Sequence, residues 1–110
     1  MNSNTNLSPT AFSILLALSL RPRHGYGLLS QIEEDSSGLV RLSVATLYST
    51  LKQLDEANFI EGMPSEKEGD RRRYYRLTRK GWNQLAAMIP YHEHVLALAH
   101  ARHIIPPEVP

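Results

Sequence analysis

Apolar residues recur along this chain in two distinct periods, and the change of period divides it. Ser8 followed by Pro9 marks a helix start: a serine oxygen can accept from an early backbone N–H, and proline at the first helical position loses no needed donor. Phe12, Leu15, Leu16 and Leu20 then follow at helical spacing, which predicts a first helix from about Pro9 to Leu20, ending before Pro22. His24-Gly25-Tyr26-Gly27 reads as a turn by composition, and Leu28, Leu29 and Ile32 open a short second helix that ends near Asp35 to Gly38. Ser43 caps a third helix, with Val44, Leu47, Tyr48, Leu51 and Leu54 on one buried face and Asn58 suited to a left-handed C-terminal cap. Beyond it the period shortens. Residues 59–63 and 72–77 read as two strands joined by the polar turn Ser65 to Asp70, a hairpin whose tip projects. Thr78 caps a fourth helix with Trp82, Leu85, Ala86 and Ile89; Pro90 predicts a break, and a final helix runs on through Tyr91, Val95, Leu98 and Arg102 until Pro106 and Pro107.

Three helices, a two-stranded ribbon and a terminal helix are in the order of a winged helix-turn-helix. The expected fold is therefore mainly α with a small β-hairpin: a winged helix-turn-helix plus a C-terminal dimerisation helix. If Leu47, Leu51 and Leu54 face the core, the opposite side of the third helix presents Ser43, Ala45, Thr46, Ser49, Thr50 and Lys52. Short hydroxyl side chains allow close approach to phosphates and base edges, and they are poor helix formers, a costly choice for a surface that met only solvent.

Composition narrows the field. The chain has 110 residues, enough for one domain, and 42% apolar with 21% charged residues is ordinary globular usage. The absence of cysteine excludes a disulfide scaffold, thiolate zinc sites and a cysteine nucleophile. Residues 1–6 lack the basic stretch and apolar run of a signal peptide, and no window approaches a spanning helix, so the expected location is cytoplasmic with no membrane partner. A net charge of +1 conceals one basic patch: between Lys67 and Lys80 lie seven basic residues (Lys67, Arg71, Arg72, Arg73, Arg76, Arg79, Lys80) against Glu68 and Asp70. Placed beside the third helix, that patch points to double-stranded DNA. No nucleophile elbow, glycine-rich phosphate loop or zinc-protease motif occurs, so no catalytic residue is assigned, and no cofactor. His92, His94, His100 and His103 crowd the last helix, with His100 and His103 close enough to share a metal, but nothing at secure spacing completes a tetrahedral set and no metal ligand is assigned. Trp82 reads as a packing residue.

The run Ser43-Val44-Ala45-Thr46-Leu47-Tyr48, continued by Leu51, Leu54, Ile60, Gly69, Arg71 to Tyr75, Leu77-Thr78 and Gly81, together with His24-Gly25-Tyr26-Gly27, resembles the PadR-like transcriptional regulators of prokaryotes. The resemblance covers roughly Leu7 to Leu85. It implies a homodimeric repressor reading an inverted-repeat operator, with helix 43–58 in the major groove and the basic wing 65–73 on the flanking backbone or minor groove. Position by position it implies DNA contacts at Tyr26, Ser43, Thr46, Tyr48, Ser49, Lys52, Arg71, Arg72 and Arg73, to which the charge pattern adds Lys67. For Tyr48 and Tyr26 a core tyrosine with its hydroxyl at the surface and a DNA contact both stay open. Asn58 stands where the family has glycine, a mild departure. The segment after Leu85 is short and least matched; in such regulators it carries dimer contacts and in some members shapes an effector pocket, so a small-molecule effector is a further partner the resemblance admits.

Leu85, Ala86, Ile89, Val95, Leu96, Leu98, Ala99, Ile104 and Ile105 exceed what one small core needs and predict a homodimer, with Leu85, Ile89, Val95, Leu98, Ala99 and Arg102 at its interface. The expected organisation is a flexible N-terminus (1–7), a winged-helix DNA-binding domain (8–81), a C-terminal helical dimerisation segment (82–105) and a tail (106–110). The alternative is a winged-helix protein interaction module that never reads DNA.

Overall fold

The computed structural model describes residues 7–104; the stretch 1–6, most of the segment read as a flexible N-terminus, Ile105 and the tail 106–110 lie outside the described residues. The order of elements is α1 (Pro9–Leu18), β1 (Arg23–His24), α2 (Gly25–Asp35), α3 (Val44–Glu56), β2 (Ile60–Pro64), β3 (Arg73–Leu77) and α4 (Arg79–Ala101). The strands form one antiparallel sheet in the order β1-β3-β2, with Ile60 opposite Leu77, Pro64 opposite Arg73, and His24 opposite Tyr74.

Each helix starts where its cap allows. Ser8, Ser43 and Thr78 all have extended backbone and accept, through the side chain, the N–H three residues on, from Ala11, Thr46 and Gly81 respectively. The three-helix core is sealed by Ile14, Leu15 and Leu18 of α1, Leu28 and Ile32 of α2, and Leu47, Leu51 and Leu54 of α3, with Ile60, Leu77 and Leu85 closing it from the sheet and α4. Phe12, Leu29, Phe59 and Tyr75 pack around the rim.

The corner between α3 and β2 is the tightest joint. Asn58 takes φ 66°. Phe59 N–H closes back on the Leu54 carbonyl at 2.9 Å, the pattern of a left-handed helix terminus. Thr78 ties the start of α4 to that corner, donating its hydroxyl to the Asn58 carbonyl at 2.6 Å while its N–H reaches Phe59 O at 3.1 Å. Lys80 donates to the Ala57 carbonyl at 2.9 Å and rests over the Phe59 ring, so its charge serves the C-terminus of α3. Gly81 lies directly on the Phe59 carbonyl, where a methyl group would collide with backbone.

Several expectations are corrected. The sheet has a third strand: β1 pairs with β3, where a two-stranded ribbon was expected. His24 to Gly27 is not a turn, because His24 caps α2 and Gly25-Tyr26-Gly27 form its first turn. The first helix stops at Leu18 instead of Leu20; Ser19 caps it, donating its hydroxyl to the Leu16 carbonyl at 2.6 Å, and Arg23 Nε donates to the Ala17 carbonyl at 3.1 Å. Leu20 is left largely exposed. Pro90 does not end a helix. It removes one backbone donor, but the turns on both sides remain helical, and a tilted ring contact between His92 and Phe12, centroids 4.4 Å apart, ties the second half of α4 to α1. That single helix ends at Ala101 rather than reaching Pro106, with His103 left-handed and Ile104 N–H bonded to the Ala99 carbonyl. Val44, expected on the buried face, occupies the first helical position and is half-exposed. Thr50, expected on the outer face, is 8% exposed and donates to the Thr46 carbonyl at 2.8 Å.

Gly81→Ala should lower the unfolding free energy by about 1–3 kcal/mol, the usual range for overpacking. Chemical denaturation checks this; an unchanged midpoint would show that the corner yields freely.

Candidate nucleic-acid interface

The first turn of α2 joins the other two pieces of the interface. On one side the Tyr48 ring of α3 lies over Gly25 so closely that a side chain there would strike it. A small cleft of about 50 Å³ between the helix starts is lined by Gly25, Tyr26, Leu29, Val44, Leu47 and Tyr48. Tyr26 is 71% and Tyr48 47% exposed, so neither is a core residue, and Tyr48 both packs and shows its ring to solvent. On the other side stands the wing, the β2–β3 hairpin with its loop 65–72.

The outer face of α3 presents Ser43, Ala45, Thr46, Ser49 and Lys52, all exposed. The hydroxyls are already engaged within the helix: Ser43 Oγ donates to Thr46 Oγ1 at 3.0 Å, and Ser49 Oγ donates to the Thr46 carbonyl at 3.1 Å. No acidic side chain lies between Ser43 and Leu54; Asp55 and Glu56 sit at the far end of the helix.

The wing arginines, equal in the sequence, are not equal in space. Arg72 is clamped: Nε donates to Asp70 Oδ1 and Nη2 to Asp70 Oδ2, both at 2.9 Å, while Nη1 lies 2.9 Å from His24 Nε2. Tyr74 donates its hydroxyl to Asp70 Oδ2 at 2.9 Å, and the Arg72 N–H meets Oδ1 at 3.0 Å. Arg73 lays its guanidinium across Gly62 and over the Tyr75 ring. Arg76 is paired with Glu61 at 2.6 Å. Lys67 and Arg71 are exposed, and among the described residues their side chains have no hydrogen-bond or ion-pair partner. The same holds for Arg73, apart from the Tyr75 ring, and for the exposed Glu66 and Glu68 that flank Lys67. Arg72, expected as a plain DNA contact, is first of all an internal strut.

Sequence reasoning missed His24, Asp70 and Tyr74. Asp70 carried a signal, since aspartate two residues before a backbone N–H favours this turn; the bond to His24 crosses from β1 to the wing and carried none. The Asp70 side chain is only 8% exposed, and hydrogen bonds from the Arg72 side chain and backbone hold its carboxyl well below the usual carboxylate range. Partial burial, then the Arg72 charge, push the His24 imidazole below its ordinary value, against an opposite pull from Asp70.

In the C-terminal half of α4, Ile89, Tyr91, Val95 and Leu96 are exposed, Leu98 and Ala99 are half-buried, and Arg102 is exposed. Leu85 is 5% exposed and sits in the hydrophobic core, where it has little surface left for the dimer interface expected of it. Among the described residues no group of three or more metal-ligating side chains converges, and no helix is long and apolar enough to cross a membrane.

A hydroxyl-rich helix packed beside a strand-supported basic wing defines a winged-helix protein of the nucleic-acid-binding type. Comparison with known sequences gives the particular group: residues 14–87 match the transcriptional regulator PadR-like family, and the chain belongs to it. That family regulates transcription and is not one of enzymes. An uncharacterized protein from Lysinibacillus sphaericus is 30% identical over 79 residues, covering 70% of this chain and 72% of that one. Among solved structures, a PadR family transcription regulator from hypervirulent Clostridium difficile superimposes with a TM-score of 0.75 at 25% identity, covering 86% of this chain and 97% of that one. Bacillus subtilis PadR in complex with operator DNA has the same fold, with a TM-score of 0.63 at 20% identity; the match takes in 96% of this chain and 52% of that longer one.

The two shifted groups fix a pH dependence. Lowered folded-state pKa values add stability above the unfolded values, 6.5 for His24 and 3.8 for Asp70, and that stability is lost as pH falls through the folded ones. Urea midpoints should therefore decline in one step beginning near pH 6.5 and in a second below 3.8. His24→Asn should remove the first step alone; a first step of undiminished size in that variant would assign it to another group.

Proposed function

We propose that this chain is a sequence-specific, homodimeric DNA-binding repressor that places α3 in the major groove of an inverted-repeat operator and its wing on the flanking backbone. The observation that carries the reading is the outer face of α3: Ser43, Thr46, Ser49 and Lys52 exposed together, with no acidic side chain across three turns and unpaired Lys67 and Arg71 at the wing tip. Hydroxyls of this kind bond either phosphates or base edges, and an acid-free face meets a polyanion without repulsion. Tyr26 and Tyr48 flank the face at the α2–α3 junction and complete the proposed contacts with Arg72 and Arg73. A protein interaction module has no need of this combination.

The dimer is part of the proposal. Exposed Ile89, Val95 and Leu96, with Leu98, Ala99 and Arg102 beside them, supply a self-complementary helical surface once Leu85 is set aside for the core. A two-fold pair would present two recognition helices about 34 Å apart, one turn of the duplex. A small apolar effector held against the terminal helices would act by favouring one spacing of those helices over another.

Fluorescence anisotropy against the duplex upstream of the chain's own gene and a scrambled duplex, each across a salt series, tests the reading. Preference for the first, with a log-log slope near −0.9 per phosphate neutralised, is expected; Arg71→Ala should reduce the slope by about 1. Lys67→Glu with Arg71→Glu should weaken binding by at least about tenfold while the sedimentation coefficient stays that of a dimer. Unaltered affinity in that double variant would remove the wing from the interface. Val95→Asp with Leu96→Asp should yield monomers by sedimentation, and a persistent dimer would place the interface elsewhere.

A further inference from the structure

His24 ends β1 and caps α2, and its ring is wedged between two donors. Nδ1 lies 3.2 Å from the Gly27 N–H, and Nε2 lies 2.9 Å from Arg72 Nη1. The ring stands edge-on to Tyr74 with centroids 5.2 Å apart. Charged and titratable groups face it from each neighbouring element: Arg72, Asp70 and Tyr74 from the wing, and Arg21 and Arg23 from its own segment, the last turned toward the Ala17 carbonyl.

A backbone amide can only donate, and a guanidinium in a protein is always protonated and also only donates. A neutral imidazole has one lone pair. In the tautomer protonated at Nε2, α2 is capped and Arg72 Nη1 points at another N–H. In the tautomer protonated at Nδ1, Arg72 is held and the cap is lost. Both contacts cannot be hydrogen bonds together. Asp70 leaves Nη1 as the Arg72 nitrogen it does not hold, so the guanidinium stays aimed while that one donor is free to change partner.

Resting on the DNA-binding reading above, we infer that His24 is a positioning residue of the interface, whose single lone pair passes between the wing and the first turn of α2. A phosphate oxygen that takes the Arg72 donor releases the lone pair to Gly27, which fixes the turn carrying Tyr26. Wing contact and α2 contact are thereby coupled through one imidazole.

The test uses the ¹⁵N-labelled full chain. Ring-nitrogen shifts of His24, assigned by their loss in His24→Asn, are recorded free and with the duplex upstream of the chain's own gene, binding being followed by anisotropy in the same samples. The expected result is a shift toward the tautomer protonated at Nε2 as duplex binds. Two variants separate the roles, since asparagine offers an acceptor near the Nδ1 position and glutamine near the Nε2 position. His24→Gln should bind duplex about tenfold more weakly than His24→Asn, the scale of one charge-assisted hydrogen bond, beyond any difference in thermal midpoint. Duplex binding with unchanged ring shifts, or equal affinity of the two variants, overturns the inference and leaves the DNA reading standing. Absence of binding to any duplex at low salt overturns both.

Discussion

The first turn of α2 is the point on which the arrangement depends. Gly25 is the residue over which Tyr48 can lie, since a side chain there would strike the ring. One residue earlier, His24 is at once a strand residue paired with Tyr74, the cap of α2 and the neighbour of Arg72. α3 and the wing are joined directly at the Asn58 corner, and the first turn of α2 gives them a second common support. A side chain at position 25 would push on α3, whereas a change at position 24 would remove the one acceptor that α2 and the wing share.

This joint also sorts the basic residues. Seven cations between Lys67 and Lys80 look like one patch in the sequence, yet Arg72 is neutralised by Asp70, Arg76 pairs with Glu61, and Lys80 completes the end of α3. Exposed pairs such as Arg76 with Glu61 add little to stability, a fraction of 1 kcal/mol up to about 1. Their consequence is electrostatic: each removes a cation from the field that a polyanion would meet. Among the described residues, four of the seven are left without a carboxylate or carbonyl partner, Lys67 and Arg71 in the loop, Arg73 on β3 and Arg79 at the start of α4, and in the loop exposed Glu66 and Glu68 stand on either side of Lys67.

Much of the fold was legible in the sequence because its signals are local. Capping serine and threonine, helical spacing and the left-handed asparagine act within a few residues, and the starts of α1, α3 and α4 fall where Ser8, Ser43 and Thr78 put them. The misreadings share a different origin. β1 is two residues long, too short to show alternation, and exists because β3 offers it a free edge. Pro90 reads locally as a stop, but the helix around it is held by a contact with α1 from another part of the chain. Thr50 looks like a surface hydroxyl until the Thr46 carbonyl accepts its proton within the helix. At the candidate site the residue types were legible and their partners were not, because Asp70, Arg72 and His24 meet only after the sheet has formed.

The hydroxyls of α3 show how such an interface can separate discrimination from affinity. In the free protein Ser43, Ser49 and Thr50 donate within the first turns of their own helix, with Thr46 the acceptor each time. A base edge that recruits the exposed ones exchanges one hydrogen bond for another, which yields little net free energy for a correct match. A wrong base leaves the exchanged donor unpaired in a desolvated groove, and that penalty is the larger quantity. On the proposed reading, short hydroxyl side chains on this face would act mainly by rejection, while attraction to the duplex would come from charges without internal partners. In that reading those charges are Lys52 on α3 itself and Lys67, Arg71 and Arg73 in the wing.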